Sequence, residues 1–462
     1  MRNLQTLNHR RNSLLGINGF RLICVAVLIE FFFVGATMGL GITSTLLGIA
    51  VFAVFSCLAP IESVVLVFLF LLPNQRMAVF DGSNISLLNV GVVILVFRNL
   101  STVFRCPSAF LFYGGLLGAL SVVISFSATE YSRIIVFGKV IVEFIMLYLV
   151  FSNKTRDSSW FGRCILFFSL GALLLGGIEL FRGGAALAER GRLGITEDDF
   201  YNNPNMMGNT FAFAIGGLFL LFNFYNLRLK EKAGILLLIG MFITLGVISG
   251  SRAFFLAVVA LWGGYFLVNI SSPKQWKGLA VLFAVAFGIV CVAHIFPNTF
   301  LGQIWQNALE RIFNPRGGDI SGGRFDLWSE YWDIYTSSVY NIFWGASEDR
   351  RMLAMDLLPH NAFLTLLVNW GIFGVSLWII AIFSLFRALY IQLKGIYGNP
   401  SVVGMMLFGL IVLFAMTRTN LFDMTTIAQM FCACFALFIK KFHPLVSNGV
   451  GIGGIKVLTK FS

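Results

Sequence analysis

Apolar runs of about 17 to 25 residues, separated by polar connections, follow one another from Leu22 to Ile439. Because no water reaches the hydrocarbon core of a bilayer, backbone polar groups there must be satisfied within helices, and no alternating strand pattern of a barrel is present in the sequence. The pattern therefore predicts an all-α polytopic membrane protein, one integral domain over residues 1–462.

The number of transmembrane helices is predicted from the runs as about fourteen, within a range of twelve to fourteen, because the third run is short. The predicted spans are 22–40, 42–59, 62–74, 86–104, 109–127, 133–151, 163–181, 205–226, 233–249, 253–270, 278–296, 361–386, 401–417 and 424–440. The basic N-terminal stretch has no small-residue cleavage site behind a short apolar run, so the first span is expected to be an anchor.

Positive charge is distributed unevenly between the two sides. With the N-terminus inside, twenty Lys and Arg residues fall in inner segments and twelve in outer ones, which agrees with the retention of cations in the cytoplasm and predicts that both termini are cytoplasmic. All twelve outer cations are Arg, whereas ten of the eleven Lys are inside. A guanidinium binds phosphate oxygens in a bidentate manner, so this bias favours a phosphate-bearing ligand on the outer side, although Arg also snorkels well at interfaces.

Two outer loops are long enough to carry function. The smaller covers 182–204, and the larger, 297–359, is too long to be a simple connection. In the larger loop Phe325, Trp328, Trp332 and Tyr335 recur at helical spacing. We expect this loop helix to lie on the membrane surface with its aromatic face toward lipid or a ligand, and Trp328 and Trp332 are candidates for contact with sugar rings.

Several classes of function are disfavoured by composition. The net charge of +12 is explained by topology, so no nucleic-acid partner is expected, and the seven cysteines lie in spans or on the inner side. No His or Cys cluster has metal-ligand spacing, and no phosphate-binding glycine loop is present in the sequence. We therefore predict no metal and no cofactor, and expect a membrane-embedded substrate to supply the energy for any reaction.

His360 and Asn361 open the stretch HNAFLTLLVNWGIFG directly after the large loop. An imidazole can accept a proton near neutral pH, so a histidine at the mouth of a helical bundle is a candidate general base. A packing or capping histidine is the alternative. Asn361 is predicted either to orient the acceptor or the imidazole, or to cap the helix that follows. Gly371 and Gly374 are expected to allow close helix contact.

Four segments resemble the O-antigen polymerase and ligase superfamily, the Wzy-type and WaaL-type membrane glycosyltransferases. They lie within 201–374 and are YNNPNMMGN at 201–209, SGSRAFFLA at 249–257, SGGRFDLW at 321–328 and HNAFLTLLVNWGIFG at 360–374. The last segment is the most specific. The resemblance implies a helical bundle similar to the GT-C glycosyltransferases, with a large periplasmic loop, in the bacterial inner membrane.

Such proteins transfer a glycan from an undecaprenyl-diphosphate carrier to an acceptor sugar at the periplasmic face without a metal. The resemblance implies that His360 is the base and that Arg252 and Arg324 hold the diphosphate, with Arg418 and Arg192 as weaker candidates. Arg252 is favoured on physical grounds, because a cation between two spans is costly unless it is paired or hydrated. Asn361, Trp328 and Trp332 are the expected acceptor or glycan contacts.

The leading hypothesis is a polymerase that joins undecaprenyl-diphosphate-linked repeat units into a surface polysaccharide. A ligase that delivers the finished glycan to lipid A core shares the donor chemistry, and a lipid-linked oligosaccharide flippase or transporter is the alternative from another class. A flippase should show charges along a central path or an internal repeat, and neither is visible in the sequence. Membrane lipids are expected partners; whether a chain-length regulator also binds is left open.

Overall fold

The computed structural model describes part of the 462-residue chain. The described residues are 17–35, 41–74, 87–98, 158–190, 204–224, 227–251, 254–259, 324–346, 361 and 363–376, together with scattered positions between 280 and 310. They are 91% helical, and no strand occurs among them. The predicted all-α class is confirmed for this part of the chain.

Ten described helices are numbered here in chain order. They are α1 (Ile17–Gly35), α2 (Gly41–Leu58), α3 (Ile61–Leu71), α4 (Leu87–Arg98), α5 (Ser158–Arg190), α6 (Pro204–Phe224), α7 (Leu229–Ile248), α8 (Arg324–Thr336), α9 (Val339–Trp344) and α10 (Phe363–Ser376). Residues 254–259 are also helical.

Three of these helices are long and apolar enough to cross a bilayer: α1 over Asn18–Gly35, α5 over Gly162–Arg182, and α7 over Leu229–Ile248. Each overlaps a predicted span. Helix α5 continues through Arg190, so the first residues of the predicted loop 182–204 are helical. The predicted spans 109–127, 133–151, 401–417 and 424–440 lie outside the described residues.

The helices from α1 to α7 pack against one another in a connected order. Helix α2 contacts α4 and α1, α1 contacts α3, α3 contacts α5, and α6 lies between α5 and α7. Helix α3 is only 11 residues long, and all of its residues from Val64 to Leu71 are buried. An apolar helix that is buried on every side belongs to the interior of a bundle, which accounts for the short third run in the sequence.

Helices α3 and α5 approach each other closely at Gly171. A Cβ atom at this position would overlap with the carbonyl oxygen of Phe70 and lie 2.7 Å from its carbonyl carbon. The Nδ2 of Asn74, just after α3, donates a hydrogen bond to the carbonyl of Gly171 over 3.4 Å. Small residues allow helix backbones to meet in this way in membrane proteins.

We expect Gly171→Ala to destabilise the protein by about 1–3 kcal/mol, because a methyl group there would meet backbone atoms that no rotamer change can move. Gly177 of the same helix is the matched control, since a Cβ atom there meets nothing within 4 Å. Gly177→Ala should instead be neutral or stabilise by about 0.5–1 kcal/mol. Thermal unfolding of the purified protein in detergent compares the two variants; equal unfolding temperatures would contradict the close contact.

Candidate functional site

The structure brings together the first two of the four segments singled out in the sequence. Helix α6 begins within 201–209 and α7 leads into 249–257, so the two segments meet at one end of the α6–α7 pair. The Ser251 hydroxyl donates a hydrogen bond to Oδ1 of Asn205 over 3.1 Å. Ser251 is buried, with 1% of its surface exposed. This partly buried bond between two side chains helps to hold the junction in one geometry.

The chain makes a tight turn between α7 and the helical residues 254–259. Gly250 adopts a φ of 60°, in the left-handed region that glycine occupies without strain. The Ser249 hydroxyl donates to the carbonyl of Gly246 over 2.6 Å. The Ser251 hydroxyl accepts from the backbone N–H of Phe254 over 3.3 Å, which is the bond of a helix N-cap. Arg252 follows Ser251 in the chain and is itself outside the described residues.

Two glycines allow this turn to pack closely. A Cβ atom at Gly208 of α6 would lie 2.6 Å from the Cβ of Ser251, and one at Gly246 of α7 would run into the ring of Phe254. Asn209 and Thr210, in the first turns of α6, are buried polar residues beside this contact. The two segments therefore form one packed junction, here called the α6–α7 junction and consisting of residues 204–210 and 246–254 without Arg252 and Ala253.

The bond between Asn205 and Ser251 can be tested by a double-mutant cycle. We expect Asn205→Ala and Ser251→Ala each to lower stability, and the double variant to lose about 0.5–1.5 kcal/mol less than the sum of the two, because both single changes remove the same hydrogen bond. Thermal unfolding in detergent measures all four corners of the cycle. Additive losses would indicate that the two side chains do not interact. Ser251→Thr, which keeps the hydroxyl, is the conservative control.

The third and fourth segments also meet. Tyr331 and Tyr335 of α8 are buried in one cluster with Ala346 and with Leu364 and Val368 of α10. Partly buried apolar residues around the cluster are Leu327, Trp328, Ile334, Ile342 and Leu367. This α8–α9–α10 unit has its own hydrophobic core, so residues 324–346 of the large loop pack against the start of the following apolar run.

The aromatic residues of α8 are partly buried in this cluster and partly exposed. Of the four residues in the predicted stripe, Tyr335 is buried and Trp328 is half-buried, whereas Phe325 and Trp332 are 68% and 51% exposed. Tyr331, which lies three residues after Trp328 and four before Tyr335, is fully buried. Leu327 and Ile334 are partly buried against the same cluster. The expected contact of the aromatic face with lipid or a ligand stays a prediction.

Hydrogen bonds hold α8 and α9 at a fixed angle. The Tyr335 hydroxyl donates to the carbonyl of Ile342 over 3.2 Å. Burial raises the pKa of this hydroxyl above its ordinary value. The Asn341 Nδ2 donates to the carbonyl of Ile334 over 3.0 Å, and Ser338 caps α9 by accepting from the backbone N–H of Asn341 over 3.1 Å.

Helix α9 meets α10 at two glycines with positive φ. Gly345 has a φ of 86° and Gly371 a φ of 62°. A Cβ atom at Gly345 would lie 2.5 Å from the backbone nitrogen of Trp370, and one at Gly371 would lie 2.5 Å from that of Trp344. The backbone N–H of Ala346 donates to the carbonyl of Val368 over 2.7 Å. The expectation that Gly371 allows close packing is thus met by contact between two backbones.

Asn361 caps α10. Its Oδ1 accepts hydrogen bonds from the backbone N–H groups of Phe363 and Leu364 over 3.1 and 3.2 Å, and the residue is 7% exposed. These two bonds satisfy backbone donors that a helix start otherwise leaves unpaired. Of the two predicted roles for Asn361, capping is present in the structure, and contact with an acceptor sugar stays a prediction. His360 directly precedes this cap in the chain and lies outside the described residues.

The other predicted site residues are placed as follows. Arg324 is the first residue of α8 and is half-buried. Trp328 packs edge-on against Phe325, with 5.6 Å between the ring centroids, and Trp332 lies 5.4 Å from Tyr335 by the same measure. Arg192, Arg252 and Arg418 lie outside the described residues, and their joint contact with a diphosphate stays a prediction.

Asn205, Ser251 and Tyr331 are the residues that sequence reasoning missed. Asn205 and Ser251 each lie in a segment whose pattern was noted, and each is a polar residue next to a predicted span boundary, which was the available indication of a cap or a contact. Tyr331 lies three residues after Trp328 and four before Tyr335, and this helical spacing was the available indication that it shares their face. No group of three or more His, Cys, Asp and Glu with metal-binding geometry occurs among the described residues.

The chain matches no protein-family model, and a search of curated proteins found no significant match.

Proposed function

We propose that this protein is a membrane glycosyltransferase that polymerises undecaprenyl-diphosphate-linked oligosaccharide repeat units into a surface polysaccharide. In this proposal the chain crosses the bacterial inner membrane about fourteen times, with both termini in the cytoplasm and the loop 297–359 in the periplasm. The growing glycan moves from its own carrier to the terminal sugar of a newly delivered repeat unit.

The proposed reaction needs a base and a site for the leaving group. A hydroxyl oxygen of the acceptor sugar attacks the anomeric carbon of the donor glycan, while the bond from that carbon to the diphosphate oxygen breaks. His360 takes the hydroxyl proton, and undecaprenyl diphosphate leaves with the bonding electron pair. Arg252 and Arg324, assisted by Arg418 and Arg192, stabilise the charge that develops on the diphosphate, because guanidinium groups bind phosphate oxygens in pairs.

The observation that carries the proposal is the packing of α8 against α10. Arg324 lies one helical turn before Leu327 and Trp328, which pack on the α8–α9–α10 cluster. Asn361 lies one turn before Leu364, which is a member of the same cluster, and His360 is the residue before Asn361. A proposed phosphate-binding Arg and the proposed base therefore both belong to chain segments anchored in one small core.

The α6–α7 junction supports the second phosphate contact. Arg252 follows Ser251, whose hydroxyl is held between Asn205 and the backbone of Phe254. A charged side chain that must bind one oxygen of a diphosphate benefits from a rigid attachment, since misplacement weakens both binding and catalysis. Residues 204–210 and 246–251, which both lie at the predicted outer side of the membrane, provide this rigid attachment for Arg252.

Ligation to lipid A core remains the second candidate because it uses the same donor, the same base and the same leaving group. Transport of the lipid-linked unit is the third. All three predict a defect in surface polysaccharide, but they differ in the intermediate that accumulates, and this difference provides the test.

The test is removal of this chain from its native cells, with the wild-type chain restored in a parallel strain, followed by separation of the glycans on lipid A core and on the lipid carrier. A polymerase predicts core that carries a single repeat unit and no longer products. If long glycan accumulates on the carrier while the lipid A core stays bare, the protein is a ligase and not a polymerase. If carrier-linked single repeat units stay inaccessible from the periplasm, the protein is a transporter. An unchanged glycan pattern would overturn all three candidate functions.

A further inference from the structure

An apolar patch on the α8–α9–α10 unit remains exposed after its core is formed. It consists of Val339, Tyr340, Phe343, Trp344, Ile372 and Phe373, which are between 41% and 70% exposed. Phe373 links its two halves: its ring centroid lies 5.3 Å from that of Phe343 and 5.1 Å from that of Trp344. No charged residue belongs to this patch, here called the α9–α10 patch, and apolar clusters of this kind mark interaction surfaces.

The patch lies beside Gly371 of α10. Gly371 has a φ of 62°, outside the range of a regular helix, and Ile372 and Phe373 follow it directly. The residues before Gly371 include Leu364 and Val368, which are buried in the core of the unit. The long apolar run 361–386 is thus divided at Gly371 into a first part that packs within the loop unit and a second part that begins at the patch.

We propose that the α9–α10 patch contacts the outer headgroup and acyl-chain boundary of the bilayer, and that the membrane-spanning part of the run begins at Gly371. Three of the described helices are long and apolar enough to span a bilayer, which makes lipid the expected neighbour of an exposed apolar surface on this chain. The patch is continuous with an apolar helix, α10, and its Tyr and Trp rings are those that concentrate at membrane interfaces.

The charges on α8 indicate the side that faces water. Asp326, Glu330 and Asp333 are exposed on the face of α8 turned away from the buried Tyr331. A face with three carboxylates is not expected to enter the boundary region. The membrane contact is therefore made by α9 and the start of the second part of α10. This inference does not depend on the reaction that the protein catalyses.

Tryptophan fluorescence in phosphatidylcholine vesicles with brominated acyl chains tests the proposal on the full-length protein. Tyr340→Trp adds an indole to the patch, and Ser329→Trp adds one to the exposed side of α8 beside the carboxylates. The emission added by Tyr340→Trp should be lost in brominated vesicles compared with unbrominated ones, whereas that added by Ser329→Trp should persist and be quenched by aqueous iodide. If Tyr340→Trp does not fold, the difference between wild type and Trp344→Phe isolates the native indole of the patch.

Three results would overturn the proposal. Equal responses of the two added indoles to brominated lipid would remove the membrane contact. If iodide quenches the indole in the patch and an added oligosaccharide relieves this quenching, the patch is a sugar-binding surface. If the indole in the patch is protected from both brominated lipid and iodide, and this protection disappears on dilution into excess lipid, the patch is a contact between two copies of the chain.

Discussion

Replacing His360 with alanine is expected to abolish polymer formation while leaving the protein folded and in the membrane. The proposed base removes a proton from a sugar hydroxyl, and loss of a general base lowers rates by about 10²–10⁴-fold. Cells that carry the variant should therefore make core with a single repeat unit and no longer products, as in the strain that lacks the chain. Glycan separation on a gel, with the protein level checked by immunoblot, measures the effect.

His294 provides the matched control for this experiment. It is an exposed, helical histidine near the outer end of a predicted span. His294→Ala should leave the glycan pattern unchanged, which would show that the defect is specific to position 360. Long chains in the His360→Ala strain would remove His360 as the base without excluding polymerisation, whereas the deletion experiment tests polymerisation itself.

Replacing Gly371 with alanine is expected to disrupt the α8–α9–α10 unit. A side chain at a φ of 62° costs about 1–2 kcal/mol, and the added methyl group would overlap with the carbonyl of Phe343 and approach the backbone nitrogen of Trp344 to 2.5 Å, which costs about 1–3 kcal/mol more. Because both contacts are with backbone, the helices must separate. The expected total is about 2–5 kcal/mol, and thermal unfolding and limited proteolysis of the large loop measure it.

The control for Gly371 is Gly234 of α7, where a Cβ atom meets nothing within 4 Å. Gly234→Ala should leave the unfolding temperature unchanged or raise it slightly. Gly345→Ala should resemble Gly371→Ala, because Gly345 also has a positive φ and also faces backbone, at Asn369 and Trp370. If Gly371→Ala unfolds at the wild-type temperature, the contact between α9 and α10 is not as close as described.

The candidate site was only partly predictable. Asn361 was expected either to cap a helix or to contact an acceptor, and a polar residue before an apolar run is a local pattern that indicates a cap. The partner of Ser251 could not be predicted in this way, because Asn205 lies 46 positions away in the chain. The burial of Tyr331 and Tyr335 also depends on distant residues, because they form one cluster with Leu364 and Val368 of α10.

Helical class and helix positions follow from sequence because a membrane restricts the backbone to few solutions: an apolar run that cannot bond to water must satisfy its own N–H and C=O groups. The described helices agree with this, and three of them can span a bilayer. The pairing of the four segments depended instead on tertiary contacts, namely the approach of Gly208 to Ser251 and of Gly345 and Gly371 to facing backbones. Apolar periodicity indicates which residues avoid water. It does not indicate which helices pack together, because that depends on how well the surfaces of two helices fit each other in the folded protein.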